Sequence, residues 1–63
     1  MKKKDFVKHL RKNNCVLLSQ GAKHEKYINL SNRKKTMLPR HNELKRFLCV
    51  AICKQLEIPI KDK

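Results

Sequence analysis

Residues 15–38 read CVLLSQGAKHEKYINLSNRKKTML, and this stretch decides the fold. The only glycine, Gly21, and the polar run 31–33 are turn signals that divide it into three short segments. Pro39 stops the third segment, 34–38, because proline cannot donate to a strand ladder. In the middle segment, 24–30, successive side chains of a strand would point to opposite faces of the sheet. One face would carry His24, Lys26, Ile28 and Leu30, and the other Glu25, Tyr27 and Asn29. The stretch therefore predicts a three-stranded antiparallel sheet built from two consecutive hairpins.

A helix is predicted before the sheet. Phe6, Val7 and Leu10 fall on one helical stripe, from about residue 5 to about residue 13. Asp5 is expected to cap this helix, and Asn13-Asn14 to provide a left-handed exit, because asparagine tolerates positive φ.

A second helix is predicted after the sheet, with Asn42 as its cap and Pro59 marking its end. Its apolar stripe, at spacings of three and four residues, comprises Leu44, Phe47, Leu48, Ala51, Ile52 and Leu56. The order helix, three strands, helix predicts an α+β two-layer sandwich with both helices on one face of the sheet. The other face is left for solvent or a ligand.

Length and charge bound the classes of function. The 63 residues are expected to form one domain, 1–63, whose ends, 1–4 and 60–63, are expected to fray. So small a core disfavours a large multi-residue pocket for a cofactor, and none is expected. Lys and Arg outnumber Asp and Glu by 17 to 5, which gives a net charge of +12. Such a surface attracts nucleic acid, an anionic membrane or an acidic protein, and a solvated surface without a specific partner is the alternative. A membrane role is disfavoured because neither helix combines a long apolar face with aromatic anchors.

The three cysteines indicate a cytoplasmic protein. Cys15, Cys49 and Cys53 are odd in number and form no Cys-x-x-Cys pair, so neither a disulfide framework nor a zinc site is predicted. They are expected to be small buried hydrophobic residues. The basic opening is not followed by an apolar run, unlike a signal peptide.

The three histidines are the side chains that titrate nearest neutrality. His9 lies within the first helix without a clustered partner and is expected to be a surface or boundary residue. His24 lies at a turn-to-strand junction three residues after Gly21, and His41 lies at a strand-to-helix junction.

Cations accompany His24 and His41. With Lys23, Lys26 and Arg40, the two histidines suggest metal-free cleavage of RNA, which needs a base for the 2′-hydroxyl and cations for the charge that develops on phosphorus. A binding module in which these residues only contact phosphates is the alternative. A metal site is disfavoured, because acidic residues are too few for a two-metal nuclease.

Two motifs carry a resemblance to a known family. They are Gly21-Ala22-Lys23-His24-Glu25-Lys26-Tyr27 and Met37-Leu38-Pro39-Arg40-His41-Asn42-Glu43-Leu44-Lys45, set between an opening and a closing helix. In this order the chain resembles, over nearly its whole length, the HicA-type toxins of bacterial and archaeal toxin–antitoxin modules.

The resemblance implies a fold, an activity and a partner. HicA-type toxins have an α-β-β-β-α fold that resembles a double-stranded-RNA-binding domain. They are small ribonucleases that cut messenger RNA and are neutralised by a HicB-type antitoxin encoded beside them. The chain is accordingly expected to be a cytoplasmic, metal-independent endoribonuclease without a cofactor, monomeric when free. A noncatalytic RNA-binding module of the same fold is the alternative, and a basic protein whose only target is an acidic antitoxin is a third.

The resemblance also implies roles for individual residues. The catalytic histidine of the family corresponds to His24, and the histidine of its Pro-Arg-His segment corresponds to His41, an RNA or antitoxin contact. Residues expected to hold phosphate are Lys23, Lys26 and Arg40, and Tyr27 would stack on a base or brace the sheet.

Overall fold

The computed structural model describes residues 1–60. Its elements, in chain order, are α1 (Lys3–Lys12), β1 (Cys15–Gln20), β2 (His24–Asn29), β3 (Lys35–Pro39) and α2 (Arg46–Leu56). The strands form one antiparallel sheet in the order β1-β2-β3. This is the predicted α-β-β-β-α order. Of the predicted frayed C-terminus, 61–63 lie outside the described residues.

The sheet has two unlike faces, as the alternation along β2 predicted. Tyr27 pairs with Leu17 on β1 and Thr36 on β3, and paired residues share a face. Tyr27 and Asn29 are buried on the face toward the helices, whereas His24 and Lys26 are exposed on the opposite face, called the open face below. The register shifts between Leu17 and Ser19, where β1 carries one extra residue.

The core lies between the helices and the sheet, which completes the two-layer sandwich. Every helix and strand contributes to it: its members are Phe6, Leu10, Cys15, Tyr27, Leu38, Leu44, Cys49, Ile52, Cys53 and Leu56. All three cysteines are buried, as predicted.

The buried stripe of α2 differs from the predicted one. Phe47 and Ala51 were predicted to face the core, but Phe47 is 72% exposed and Ala51 is also exposed. The helix instead buries positions 49, 52, 53 and 56, which follow the i, i+3, i+4, i+7 pattern. Two of these positions are cysteines, so the small side chains of Cys49 and Cys53 face the core where Phe47 was expected.

The predicted N-caps are wrong for both helices. Asp5 lies inside the first turn of α1, which begins after Lys2, and α2 begins after Lys45 rather than Asn42. Neither helix has a side-chain N-cap hydrogen bond. In place of side-chain caps, the segment before α1 pairs through its backbone with the segment before α2. Lys2 forms a β-bridge with Glu43, and Lys3 N–H donates to the Asn42 carbonyl at 2.9 Å.

The same pairing changes the expectation for the N-terminus. Residues 1–4 were expected to fray, yet Lys3 and Lys4 belong to α1. The Met1 amino group donates to the Leu44 carbonyl at 3.0 Å, and Leu44 N–H donates to the Met1 carbonyl at 2.8 Å. The first residues therefore hold the segment that leads into α2.

Residues in the left-handed region end both helices. Asn14 follows α1 with φ 64°, as predicted, and Glu57 follows α2 with φ 57°. At the end of α2, Ile58 N–H donates to the Cys53 carbonyl and Glu57 N–H to the Lys54 carbonyl, which is a Schellman motif. Asn29 Nδ2 donates to the Leu56 carbonyl at 2.8 Å, so this helix end is fastened to the sheet.

Candidate functional site

His24 begins β2 on the open face of the sheet. Its side chain is exposed and makes no hydrogen bond within residues 1–60. Lys26 lies two residues further on the same face, about 6–7 Å along the strand, and Lys23 is exposed in the preceding turn. The structure thus brings together three of the predicted site residues: an accessible imidazole and two ammonium groups.

The turn that carries His24 is held at both ends. Gly21 N–H donates to the His24 carbonyl at 2.8 Å, and Arg40 Nη1 donates to the Gly21 carbonyl at 3.1 Å. A Cβ atom at position 21 would lie 3.3 Å from the His24 carbonyl oxygen, closer than ordinary van der Waals contact. Glycine therefore lets the turn close tightly, which supports its predicted structural role.

Glu25 anchors this turn from the helix side. Its side chain is only 13% exposed, with Lys3 Nζ 2.5 Å from Oε1 and Arg40 Nε 3.9 Å from Oε2. Oε1 is buried and accepts no aligned hydrogen bond from the described residues, so its compensation is mainly coulombic. We call Lys3, Glu25 and Arg40 the Glu25 cluster. Sequence reasoning missed it, although an acidic residue between lysines in so basic a chain was a signal.

Arg40 was predicted to hold phosphate. Its side chain is 45% exposed, and the same guanidinium contacts Gly21 and Glu25. Because these contacts join the end of β3 to the β1–β2 turn, Arg40 has a structural role at the site whether or not it also meets phosphate.

Tyr27 is not brought together with His24. Its side chain is 5% exposed and lies in the core, on the opposite face of the sheet. Burial raises the pKa of Tyr27 and the Glu25 carboxylate adds to this rise, while Arg11 opposes it. Of the two roles that the sequence left open, stacking on a base or bracing the sheet, the buried position supports bracing.

The other two histidines occupy unlike positions. His9 is half-buried, and its Nε2 donates to the Pro59 carbonyl at 2.7 Å, which ties α1 to the segment after α2. The half-buried position agrees with the boundary position predicted for His9, whereas the contact with Pro59 was not predicted. His41 is exposed in the loop between β3 and α2.

A second positive surface lies along α1. A groove of about 730 Å³ separates this helix from the start of β2, and it is lined by cations that include Lys4, Lys8 and Arg11. Glu25 and Tyr27 also line the groove, so it lies on the side of the sheet away from His24. The surface adds to the attraction of polyanions but has no histidine in its walls.

Metal-ligating and membrane features were searched over residues 1–60. Within this range, no three side chains of His, Cys, Asp or Glu form a group that could hold a metal ion. Neither described helix is long and apolar enough to cross a membrane. Burial raises the pKa of the Cys15 and Cys49 thiols, which keeps both protonated near neutral pH.

Comparison with known proteins places the chain in a family. No curated protein and no solved structure is significantly similar to it. The family model described as HicA toxin of bacterial toxin-antitoxin matches residues 4–58, a range that contains the Gly21–Tyr27 and Met37–Lys45 motifs. Because this match covers nearly the whole chain, the protein belongs to the HicA toxin family.

Proposed function

We propose that this HicA-family toxin is a metal-independent endoribonuclease that cleaves messenger RNA and is inhibited by a HicB-type antitoxin. The observation that carries the proposal is the position of His24, exposed on the open face with Lys26 beside it and Lys23 in the preceding turn. An imidazole can exchange a proton near neutral pH, and ammonium groups attract the phosphodiester.

The proposed reaction uses His24 as the general acid and base. The imidazole removes the proton of a 2′-hydroxyl, whose oxygen attacks the adjacent phosphorus, and the bond from phosphorus to the 5′-oxygen breaks. The leaving 5′-oxygen takes a proton from the imidazolium or from water, and a 2′,3′-cyclic phosphate remains. Lys23 and Lys26 stabilise the negative charge that develops on the phosphoryl oxygens.

His24→Ala tests the catalytic assignment. Cleavage should fall by about 10²–10⁴-fold, the usual contribution of a general acid or base, while RNA affinity changes little. His41→Ala is the comparison, because it removes the other exposed histidine, an expected RNA or antitoxin contact, and should therefore change binding more than the rate of cleavage. Circular dichroism verifies the fold of both variants, and cleavage at the wild-type rate by folded His24→Ala would overturn the assignment.

Product and metal analysis test the reaction itself. Cleavage should persist in excess EDTA, yield 2′,3′-cyclic or 3′-phosphate ends, and fail on DNA, which lacks the 2′-hydroxyl. Loss of activity in chelator, or equal cleavage of DNA, would contradict the proposed reaction.

The antitoxin is proposed to cover His24 and to compete directly with RNA. The net charge of +12 favours fast association with an acidic protein surface. In a titration with the HicB-type antitoxin and labelled RNA, each should displace the other, and His24 should become protected from chemical modification. Simultaneous binding with His24 still reactive would contradict this arrangement.

The same charge also supports a second candidate, a noncatalytic RNA-binding module. Wild-type protein that binds RNA in a salt-dependent manner without cutting it, under conditions that arrest growth in cells, would favour this candidate over the ribonuclease.

A further inference from the structure

Phe47 is the most exposed large apolar side chain in residues 1–60. It lies in the first turn of α2 with 72% of its surface accessible to solvent. A single exposed apolar residue needs no explanation, but Phe47 belongs to a cleft of about 550 Å³ that it lines together with Pro39, Leu44 and Leu48. This volume lies within the range of small-molecule sites, and the walls are mostly apolar.

The cleft borders the end of β3 that pairs with the start of β2. Pro39, one of its walls, is the residue that pairs with His24 across β2 and β3. The Cβ atoms of directly paired residues lie about 4.5–5.5 Å apart on the same face. A group seated in the cleft therefore touches the residue of β3 that pairs with His24.

The rim of the cleft is polar and includes one lysine. His41 and Lys45 line it, and Arg40 lies between Pro39 and His41 in the chain. The one acidic lining residue, Glu43, has its carboxylate 3.6 Å from the Met1 amino group. An apolar floor with Lys45 at its rim, in a chain with a net charge of +12, suits an aromatic base on an anionic backbone, since protein surfaces that bind single strands combine stacking side chains with positive charge.

Tyr27, the aromatic residue that the sequence suggested for stacking, is buried on the other face of the sheet. Phe47 offers an accessible ring in the cleft that borders Pro39, the pairing partner of His24. A base inside a duplex is stacked on both sides and cannot enter such a cleft, so the occupant must be unpaired.

We propose that the cleft at Phe47 binds one unpaired nucleobase of the RNA, stacked on the Phe47 ring, and thereby selects the phosphodiester that lies at His24. This inference rests on the proposed ribonuclease function, because it places the base relative to the bond that His24 would cut. It adds a base-binding subsite to the phosphate contacts of Lys23 and Lys26.

Phe47→Ala tests the subsite, with Leu30→Ala as the matched control. Leu30 is 51% exposed. It follows the last residue of β2, whereas His24 is the first residue of that strand. Both variants are made in the His24→Ala background, so that RNA binding is measured without cleavage. By fluorescence anisotropy, Phe47→Ala should bind a short single-stranded RNA about tenfold more weakly or worse, because one stacked base is lost. Phe47→Trp should restore affinity, and Leu30→Ala should bind like the parent.

A strand with one abasic nucleotide, moved along the sequence, locates the base. At one position the abasic substitution should weaken binding to the parent while leaving Phe47→Ala unaffected, since the two changes remove the same contact. A duplex of the same sequence should show no penalty from Phe47→Ala.

The outcomes separate this inference from the proposed function. If wild-type protein cleaves RNA through His24 but Phe47→Ala binds RNA as Leu30→Ala does, the base subsite is wrong and the ribonuclease stands. If Phe47→Ala weakens antitoxin binding and not RNA binding, the cleft is a protein contact and the subsite is again wrong. If wild-type protein binds RNA with the expected Phe47 dependence but never cuts it, the subsite survives as part of a binding module and the proposed ribonuclease fails.

Discussion

Replacing Glu25 by glutamine removes the charge at the centre of the Glu25 cluster while it nearly preserves the shape of the side chain. The carboxylate is 13% exposed and the side chain of its closer partner, Lys3, is 16% exposed. Exposed ion pairs contribute about 0–1 kcal/mol, whereas removing one partner of a buried pair costs about 3–5 kcal/mol. This pair lies between the two limits and nearer the second, so we expect the free energy of unfolding to fall by about 2–3 kcal/mol.

The loss is measurable by thermal and urea denaturation. In a domain of this size, about 1 kcal/mol corresponds to about 4–8 °C in Tm, so Glu25→Gln should lower Tm by about 10–20 °C. Glu43→Gln is the matched control, because the Glu43 side chain is 67% exposed and its partner, the Met1 amino group, lies 3.6 Å away. Solvent screens that pair, and the change in Tm should be small.

The same variant separates positioning from binding. Glu25→Gln removes a negative charge, so RNA affinity should hold or rise, whereas kcat should fall because the turn that carries His24 loses its anchor at Arg40. If Glu25→Gln and Glu43→Gln shift Tm equally, the Glu25 cluster does not stabilise the fold as reasoned. If kcat and KM are both unchanged, it does not position His24.

Four other outcomes are expected. Asn29→Ala should lower the free energy of unfolding by about 1–3 kcal/mol in urea titrations, because this buried side chain bonds the end of α2 and the Ser31 N–H. Glu57→Gly should raise it by about 1 kcal/mol, since glycine adopts the left-handed conformation at position 57 without strain. Burial raises the pKa of the Cys15 and Cys49 thiols, so the folded chain keeps protons that the unfolded chain releases above about pH 8.5. Stability should therefore fall as the pH rises from there through the raised pKa values, and less so in Cys49→Ala. RNA affinity should fall with salt, and Lys26→Gln should lower the log–log slope by about 1 if Lys26 contacts one phosphate.

Each expectation has a contradicting result. Asn32→Ala removes a second and less buried donor to the Leu56 carbonyl, so it should lower the free energy of unfolding by less than Asn29→Ala does. The reverse order would contradict the expectation for Asn29. A lower urea midpoint for Glu57→Gly, a flat alkaline profile, or an unchanged salt slope for Lys26→Gln would contradict the others.

The strand pattern made the open face predictable. Side chains alternate along a strand with period two, so the chemistry of 24–30 reports directly which residues share a face. With Gly21 marking the turn, this pattern placed His24 and Lys26 together and Tyr27 opposite them, as the structure has them.

The helix starts and the charge cluster were not predictable in this way. Asp5 and Asn42 are ordinary capping residues, but the starts of α1 and α2 are set by pairing between chain segments that are far apart in the sequence. Glu25 can be mostly shielded from solvent because Lys3, from α1, and Arg40, from the loop after β3, converge on it. Phe47 fitted an apolar stripe, yet Cys49 and Cys53 complete a stripe that packs on the sheet and leaves Phe47 outside.

The irregular register of β1 bears on how the protein behaves at high concentration. Among residues 1–60, no strand pairs with the outer edge of β1, and three consecutive apolar residues of this strand, Val16, Leu17 and Leu18, are 38–47% exposed. An open apolar edge invites strand-by-strand growth into fibres. The extra residue between Leu17 and Ser19 bends the strand and interrupts its row of free N–H and C=O groups, and every added copy would bring a further charge of +12. The bulge thus lets the chain keep an apolar strand at its surface without offering a regular template for aggregation.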